Sequence, residues 1–289
     1  MSYRIMTDST TDLTPDILDE LRLDVIPLTF LLNGKEYQDR PYGLEMPAKE
    51  FYKAIREGAM PTTSQVTPDR FCEAFEPILK SGEDILYLAF SSGLSGTCNA
   101  AMIAAEDLAE RYPDRRVIVI DTLAASMGEG LLVYLACRRH EEGMELDELA
   151  DWVREKRLHI AHWFTVDDLY HLKRGGRVSG AAAFVGTMLN IKPVLHVDDA
   201  GHLIAIGKAM GRKKSISALV DKMTELHTLG ADDPIFISHG DCIEDVNYLI
   251  SLLKANFPGH EIKYNYVGNV IGTHSGAGTL ALFFLGAHR

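Results

Sequence analysis

Short apolar runs alternate with amphipathic stretches throughout the first half of the chain, and this alternation constrains the fold more than any other feature. The apolar runs at residues 3–6, 24–31, 85–90 and 117–120 have the length and composition of buried strands. Amphipathic stretches between such strands are typical of βαβ units, in which a helix connects neighbouring parallel strands. The first half is therefore predicted to be α/β, with a mainly parallel sheet.

Two threonine–proline pairs, Thr14-Pro15 and Thr67-Pro68, predict where helices of this half begin. The threonine hydroxyl can cap the helix, and proline is favoured at the first helical position because its missing N–H has no partner there in any case. Residues 100–112 and 124–140 have apolar side chains at helical spacing and predict two longer helices.

The second half has a denser cluster of strand-like segments, interrupted by two amphipathic helices at 215–228 and 243–255. This pattern favours an α+β domain. A chain of 289 residues exceeds the size at which one core keeps growing, so two domains with a ligand cleft between them are expected. The predicted boundary lies near Arg157, where a charged helix ends, giving domains 1–157 and 158–289. The six predicted strands are 159–166, 192–197, 203–208, 234–238, 261–267 and 280–285.

Charge and composition exclude several classes of partner and ligand. The net charge of -12 argues against nucleic-acid binding, which needs clustered Lys and Arg over a broad face. No apolar run approaches the ~20 residues of a membrane span, so the protein is not expected to be integral to a membrane. Four widely spaced cysteines and the absence of a signal peptide predict a reduced, cytoplasmic protein. His159 and His162 fall on a predicted strand and would face opposite sides, so no metal site is expected.

Two hydroxyl-rich loops, PTTSQ at 61–65 and SSGLSGT at 91–97, are the strongest functional signals. Each leads into a predicted helix, so hydroxyls and helix N-terminal amides could hold a small anion in an acidic protein. The segment DSTTDL at 8–13 also follows a predicted strand, where ligands of α/β sheets usually bind. Its side chains could instead cap the helix at Pro15, and the sequence leaves both interpretations open.

Further candidates are a glycine-rich segment and two basic clusters. The glycines of IGTHSGAG at 271–278 could let the backbone point His274 inward, although a single histidine can equally be structural or solvated. The clusters at 172–179 and 210–214 contain Arg177 and Arg212, which could steer an anionic ligand or dock an anionic partner. Each cluster could equally be a solvated charged face. Neither a phosphate-binding loop with correct spacing nor a GxSxG nucleophile motif is present.

Six short motifs occur in the order and spacing of the DegV family of bacterial fatty-acid-binding proteins, which this chain resembles over nearly its whole length. They are DSTTDLTPD, PTTSQVTPDRF, SSGLSGT, TVDDLYHLKRGGRVSG, NIKPVL and IGTHSGAG. The resemblance implies an N-terminal α/β domain and a C-terminal α+β domain, with one long-chain fatty acid bound between them.

The resemblance also implies residue roles and a partner. Thr63, Ser95 and His274 would contact the fatty-acid carboxylate. The family resembles acyl carriers that present the fatty acid to a kinase similar to dihydroxyacetone kinase, which makes an acyl phosphate from ATP. The chain departs from the family at Met210, where an arginine tied to partner contact is common, so kinase presentation is less strongly implied than lipid binding. Ser64, Gly96 and Thr97 would support the loops.

The expected function is therefore that of a fatty acid carrier without intrinsic turnover and without a cofactor. Most of the affinity for a sixteen-carbon acid such as palmitate would come from its tail, and the head-group contacts would fix its orientation. Protonated His274 or the helix N-terminus at Ser95 would moderate the buried charge. Alternatives are a phosphoryl- or acyl-transfer enzyme using His274, and a lipid-sensing regulatory module. Candidates to line the tail channel are Phe30, Phe164, Phe184, Met188 and Leu189.

Overall fold

A computed structural model of the chain describes residues 2–179 and 190–289, apart from the side chains of Tyr42 and Ser179. The strands of these residues are β1 (Tyr3–Asp8), β2 (Asp24–Ile26), β3 (Thr29–Leu32), β4 (Lys35–Gln38), β5 (Thr62–Ser64), β6 (Asp84–Ala89), β7 (Val117–Asp121), β8 (Ile160–Thr165), β9 (Val178–Ser179), β10 (Ile191–Val197), β11 (Leu203–Met210), β12 (Ile235–His239), β13 (Ile262–Tyr266) and β14 (Leu280–Leu285). The helices are α1 (Pro15–Leu21), α2 (Ala48–Arg56), α3 (Pro68–Lys80), α4 (Thr97–Arg111), α5 (Ser126–Glu141), α6 (Leu146–Lys156), α7 (Leu169–Arg174), α8 (Arg212–Leu226), α9 (Ile243–Asn256) and α10 (Asn269–Ser275).

The strands of the described residues form three sheets. The first is parallel throughout, with the order β2-β1-β6-β7. The second is mixed and has the order β13-β12-β14-β8-β10-β11-β9. These two sheets confirm the predicted fold class, a mainly parallel α/β half followed by an α+β half. The boundary at residue 157 stays a prediction.

The third sheet is small and antiparallel, with the order β4-β3-β5, and the sequence did not predict it. The prediction of one strand over 24–31 was wrong, because the chain leaves the parallel sheet after Ile26 and enters the small antiparallel sheet at Thr29. Pro27 lies at the break and has no N–H for a sheet hydrogen bond. The next amide, that of Leu28, donates instead to Ser9 Oγ at 3.1 Å.

The threonine–proline pairs begin helices as predicted. Thr14 Oγ1 accepts a hydrogen bond from the Ile17 N–H at 3.4 Å, and Thr67 Oγ1 accepts one from Arg70 at the same distance. Capping threonines of this kind satisfy one of the free amides that every helix N-terminus leaves. Because α3 follows β5 directly, its cap fixes the direction in which the PTTSQ loop leaves the small sheet.

Helix α5 joins the two large sheets. Leu131, Leu132 and Val133 are fully buried, and their hydrophobic core contains residues of β1 and β6 together with residues of β8 and β14. The two halves therefore share this core, whereas a further core around α8 and α9 lies within the second half.

A buried arginine adds a polar connection between the halves. The Arg289 guanidinium donates to the carbonyl oxygens of Arg157 at 2.7 Å, of Thr122 and Asp198 at 3.1 Å, and of Leu123. Burial lowers the pKa of Arg289 to about 10. One side chain thus ties together three segments of the chain that are far apart in sequence.

Candidate functional site

A cavity of about 530 Å³ lies among the segments that carry the predicted motifs, within the ~300–1,000 Å³ of typical small-molecule sites. It draws its walls from both halves of the chain. Its apolar lining consists of Leu28, Phe90, Leu94, Ala125, Phe164, Leu172, Val197, Leu203, Val267, Val270, Ile271, Ala281 and Phe283. Such a lining suits a ligand that is mostly hydrocarbon.

Thr63 and His274 meet at the wall of this cavity. Thr63 lies at the centre of β5, where it pairs with Phe30, and His274 is on the last turn of α10. Thr63 Oγ1 and His274 Nε2 are 2.8 Å apart, although the residues are separated by 211 positions. A Cβ on Gly175 would stand 3.0 Å from the Cα and the carbonyl oxygen of His274, so a glycine is needed where this segment passes α10.

The His274 imidazole is neutral at pH 7 in the ligand-free protein. Burial and the nearby Arg177 charge lower its pKa to about 4, against a hydrogen bond with the Gly175 carbonyl that acts in the opposite direction. His274 Nδ1 is 3.2 Å from the Gly175 oxygen and 3.4 Å from Arg177 Nη1. With the proton on Nδ1, the Gly175 carbonyl accepts it and Nε2 accepts from the Thr63 hydroxyl. In the other tautomer Nδ1 accepts from Arg177, Nε2–H donates to Thr63, and the Thr63 hydroxyl proton is free for an acceptor in the cavity. A hydrogen bond from Thr63 to a carboxylate therefore requires the second tautomer.

Ser95 lies on the loop between β6 and α4 and also lines the cavity. The amides of Leu94 and Ser95 donate to Ser91 O at 3.0 and 3.1 Å, which fixes a tight turn. Ser95 Oγ accepts from the Thr97 N–H at 3.2 Å and shares a hydrogen bond with Thr97 Oγ1 at 2.9 Å. Ser95 therefore stands at the positive end of α4.

The supporting residues divide into those on the cavity wall and one behind it. Ser64 and Gly96 line the cavity, whereas Thr97 is buried and holds Ser95 from behind. A Cβ on Gly96 would collide with the side-chain amide of Gln65, so a glycine at 96 lets the two hydroxyl-rich loops contact each other. The sequence did not single out Gln65 by itself, although it belongs to the PTTSQ motif.

The two arginines predicted for partner docking differ in their surroundings. Arg177 lines the cavity, with Nε 3.5 Å from Leu94 O, and so connects the Ser95 loop with His274. Arg212 does not line it: Arg212 Nε is 2.8 Å from Asp245 Oδ2, Nη1 is 3.8 Å from Asp167, and Nη2 donates to Gly278 O at 2.7 Å. The charge of Arg212 is compensated inside the protein, which disfavours a docking role for it.

The segment at 8–13 makes internal contacts: none of its residues lines the first cavity, and none caps α1, whose N-cap is Thr14. The buried Asp8 carboxylate accepts from the Tyr87 hydroxyl at 2.7 Å and from the amides of Phe90 and Thr10 at 3.1 Å. Asp8 thus anchors the start of the loop that carries Ser95.

Sequence reasoning missed a group of buried hydroxyls along the cavity. Ser126 Oγ contacts the carboxylate of Asp12 and lies 2.8 Å from Ser238 Oγ, and both serines line the cavity. Ser275, next to His274, lines it with a buried hydroxyl that has no hydrogen-bond partner. Single serines scattered through the chain carry no spacing signal, so only the fold reveals them.

Among the predicted tail-lining residues, Phe164 lines the cavity. Phe30 does not, because it is fully buried in a separate core, where its ring stacks on Tyr37 at 5.3 Å between centroids. Phe184, Met188 and Leu189 lie outside the described residues.

The described residues contain neither a metal-binding cluster nor a membrane-spanning helix. No cluster of three or more His, Cys, Asp or Glu side chains in 2–179 and 190–289 is arranged to hold a metal ion. Within the same ranges, none of the helices combines the length and the apolar character needed to cross a bilayer.

Comparison with known proteins gives a consistent family. The family model described as "Uncharacterised protein, DegV family" matches residues 2–287. A DegV domain-containing protein of Clostridium perfringens is 46% identical over 284 residues, which are 98% of this chain and 97% of that protein.

Two solved structures show the same similarity in three dimensions. One is described as "Fatty Acid Binding of a DegV family Protein from Thermus thermophilus"; it is 34% identical, has a TM-score of 0.86, and the match covers 98% of this chain and 99% of that one. The other is DegV of Bacillus subtilis, described as a fatty acid binding protein, with 28% identity, a TM-score of 0.82 and 98% of each chain covered. The similarity therefore includes every segment that lines the cavity.

Proposed function

The chain belongs to the DegV family, and on that premise we propose that it binds one long-chain fatty acid in the cavity of about 530 Å³ and carries it without chemical turnover. The observation that carries this proposal is the combination of a long apolar lining with Thr63, Ser95 and His274 on the wall of the same cavity. Such a lining accepts a hydrocarbon tail, and the polar groups give one place for an acid group.

The tail supplies most of the binding free energy in this proposal. Removing a sixteen-carbon chain from water contributes roughly 10 kcal/mol in gross terms, at ~0.8 kcal/mol for each methylene. The carboxylate gives up hydration, and two hydroxyls with an imidazole replace only part of it. The head-group contacts therefore mainly decide which end of the fatty acid faces the Thr63–His274 wall.

Neutral donors and one cationic side chain hold the carboxylate in this scheme. The hydroxyls of Thr63 and Ser95, the N-terminal end of α4, and the guanidinium of Arg177 all favour a negative charge. The sequence offered protonated His274 or the helix N-terminus at Ser95 as the group that moderates the buried charge, and a pKa of about 4 for His274 favours the helix N-terminus. A bound carboxylate raises that pKa, because an opposite charge favours the imidazolium.

We also propose that the fatty acid is presented to a partner kinase similar to dihydroxyacetone kinase. A smaller depression of about 260 Å³ shares Thr63, His274 and Arg177 with the main cavity and is also lined by Met60 and Arg174. Met60 and Tyr170 expose 61% and 55% of their surfaces, respectively. An exposed rim beside the acid group gives a partner access to the carboxylate.

The alternative of an enzyme that uses His274 has less support. The described partners of His274 are Thr63, the Gly175 carbonyl and Arg177, and none is a carboxylate that would orient and activate the imidazole as a base. A pKa of about 4 also makes a weak general base.

The test is retention of lipid by a variant that lacks both hydroxyls. Thr63→Ala with Ser95→Ala should reduce co-purified fatty acid, measured by native mass spectrometry. Two hydrogen bonds to a charged group, at ~1.5 kcal/mol each, predict a loss of affinity of about 100-fold.

The matched control is Thr62→Ala with Ser92→Ala, which alters exposed hydroxyls one and three positions away on the same loops. Its lipid content should equal that of the unmodified protein. Undiminished lipid in the first double variant would refute the assignment of the carboxylate site, and a complete lack of fatty acid in the unmodified protein would refute the function itself.

A further inference from the structure

A second cavity, of about 320 Å³, lies beside the first loop, the turn after β4 and the start of α10. Neither the motifs nor the proposed lipid function accounts for it. Its lining is Ser9, Thr11, Asp12, Leu13, Pro15, Leu18, Val25, Asp39, Arg40, Pro41, Gly43, Met46, Pro47, Ala48, Lys49, Asn265, Tyr266, Gly268 and Asn269. None of these residues lines the first cavity.

Two buried oxygen atoms on the wall of this second cavity have no hydrogen-bond partner. Asp12 and Asn269 are 6% and 4% exposed, and Asp12 Oδ1 and Asn269 Oδ1 both lack a donor. The other ends of these side chains are engaged, since Ser126 contacts Asp12 Oδ2 and Asn269 Nδ2 donates to Met46 O at 2.9 Å. Because buried acceptors in folded proteins are almost always hydrogen-bonded, two unsatisfied ones in one cavity indicate a donor that a ligand would supply.

A third acceptor group, the carboxylate of Asp39, faces the same place. A Cβ on Gly268 would collide with Asp12 Oδ1 and would stand 3.4 Å from Asp39 Oδ2, so both carboxylates converge beside this glycine. Asp39 Oδ2 accepts a long hydrogen bond of 3.4 Å from the Val270 N–H, and the Asn269 N–H and the Ser9 hydroxyl also favour the charged form of this carboxylate. The Gly268 N–H favours the Asp12 carboxylate electrostatically but does not meet hydrogen-bond geometry with Oδ1.

No positive charge among the described residues pairs with these carboxylates. Arg40 is on the cavity lining but forms its ion pair with Glu45 at 3.2 Å, and Lys49 forms none with either aspartate. Burial raises the pKa of Asp12 well above its ordinary value and that of Asp39 to about 7, and the charge of Asp39 raises that of Asp12 further. A bound cation would remove this repulsion.

The chemistry of the cavity selects among cations. The walls beside the acceptors are apolar, with Leu13, Leu18 and Val25 among them, so the cation needs an organic body rather than a shell of water. The described residues hold no cluster of three or more carboxylate, imidazole or thiol groups for a metal ion. A primary ammonium has three N–H donors, which match Asp12 Oδ1, Asn269 Oδ1 and Asp39 in number.

We propose that the second cavity binds a small primary alkylammonium ion, with its charged group on Asp12, Asp39 and Asn269. The hydrocarbon part lies against the apolar wall. This site shares no lining residue with the first cavity, so each proposal can fail without the other.

The first test compares three probes on the full chain as purified, with its lipid content recorded by native mass spectrometry. The probes are n-butylammonium, butyltrimethylammonium, which lacks N–H donors, and n-butanol, which lacks charge. The buffer is phosphate, because Tris is itself a primary amine. Saturable binding of n-butylammonium by calorimetry, with at least 10-fold weaker binding of the other two, is the expected result. Equal binding of all three probes, or no saturable binding of n-butylammonium, would overturn the proposal.

The second test uses charge-matched variants. Asp39→Asn should weaken n-butylammonium binding at least 10-fold, whereas Asp16→Asn should not change it. Asp16 is an exposed acid on the first turn of α1, whose residues Pro15 and Leu18 line the cavity, and it is not itself on the lining. Circular dichroism checks that both variants fold. If Asp39→Asn does not fold, the comparison of probes on the unmodified protein still decides the question.

Discussion

The two cavities of this protein have similar apolar walls but opposite polar groups. The first presents hydroxyls, an arginine and the start of a helix, through Thr63, Ser95, Arg177 and α4. The second presents carboxylate and amide oxygens, through Asp12, Asp39 and Asn269. An acidic protein with a net charge of -12 can therefore suit an anion at one site and a cation at another. The sign of a ligand follows the donors and acceptors left over locally, not the overall charge.

The largest expected effect comes from filling only the first cavity. Ala281 lines it from β14, where it pairs with Phe164 and Ser238 on the neighbouring strands. Ala281→Trp should exclude about six methylenes of an acyl chain, which removes about 5 kcal/mol of binding free energy and nearly all co-purified lipid. Native mass spectrometry measures the lipid, and n-butylammonium binding at the second cavity should be unchanged. Loss of both ligands together, in a folded variant, would show that the cavities are not independent.

An intermediate effect is expected at His274. His274→Ala removes the partner of Thr63 at 2.8 Å, and one hydrogen bond of ~1.4 kcal/mol predicts about 10-fold faster release of the fatty acid. Transfer of a fluorescent fatty acid to acceptor vesicles measures the release rate. An unchanged rate would remove His274 from the head-group site.

The protonation state of His274 gives a second test of the contrast between the two cavities. In lipid-free protein, nuclear magnetic resonance should show the imidazole titrating near pH 4, because burial and Arg177 lower its pKa. The unfolded chain binds that proton near pH 6.5, so this residue's contribution to stability should be lost as the pH falls from about 6.5 toward 4. A midpoint above pH 6 would mean that the first cavity holds a cationic imidazole without a ligand.

The smallest effect concerns the pH dependence set by Asp39 in the second cavity. Its pKa of about 7 lies above the ordinary value of 3.8, so between these values the folded protein holds a proton that the unfolded chain has lost. The free energy of unfolding should therefore fall as the pH rises from 5 to 8, and Asp39→Asn should reduce that fall by on the order of 1 kcal/mol. Urea denaturation in an amine-free buffer measures it. Buried acids that do not interact with Asp39 cancel in the difference between the two proteins, and removal of the Asp39 charge also lowers the pKa of Asp12. An identical pH profile would mean that Asp39 is ionised throughout.

The sequence predicted the elements whose causes are local. Thr14-Pro15 and Thr67-Pro68 specify helix starts through their own side chains, and strand β8 was predicted to within two residues at each end. For the glycine-rich segment at 271–278 the sequence predicted only a backbone that could point His274 inward, and it did not predict helix α10, which forms the first part of the segment. Glycine at 272 belongs there because a Cβ would press against Tyr52 and Phe51, and that contact depends on tertiary packing.

The candidate sites divide in the same way. Thr63, Ser95 and His274 belong to motifs whose order along the chain could be compared with a family, and the fold brings all three to one cavity. Asp39 lies in an ordinary polar stretch, and Asn269 has no motif of its own. The unpaired oxygens of Asp12 and Asn269 exist as such only after folding has buried them.

The hydrogen bonds of the Arg289 guanidinium have a consequence for how an acyl chain enters and leaves the first cavity. Separating the two halves would break the hydrogen bonds from Arg289 to the three carbonyl oxygens of Thr122, Leu123 and Arg157, in addition to splitting the core around α5. Exchange of the fatty acid by hinge opening of the two halves therefore has a high free-energy cost. We expect the fatty acid to enter and leave through a local opening near Thr63 and Arg177. Docking of a membrane or a partner protein at that rim would then regulate release of the fatty acid without separation of the two halves.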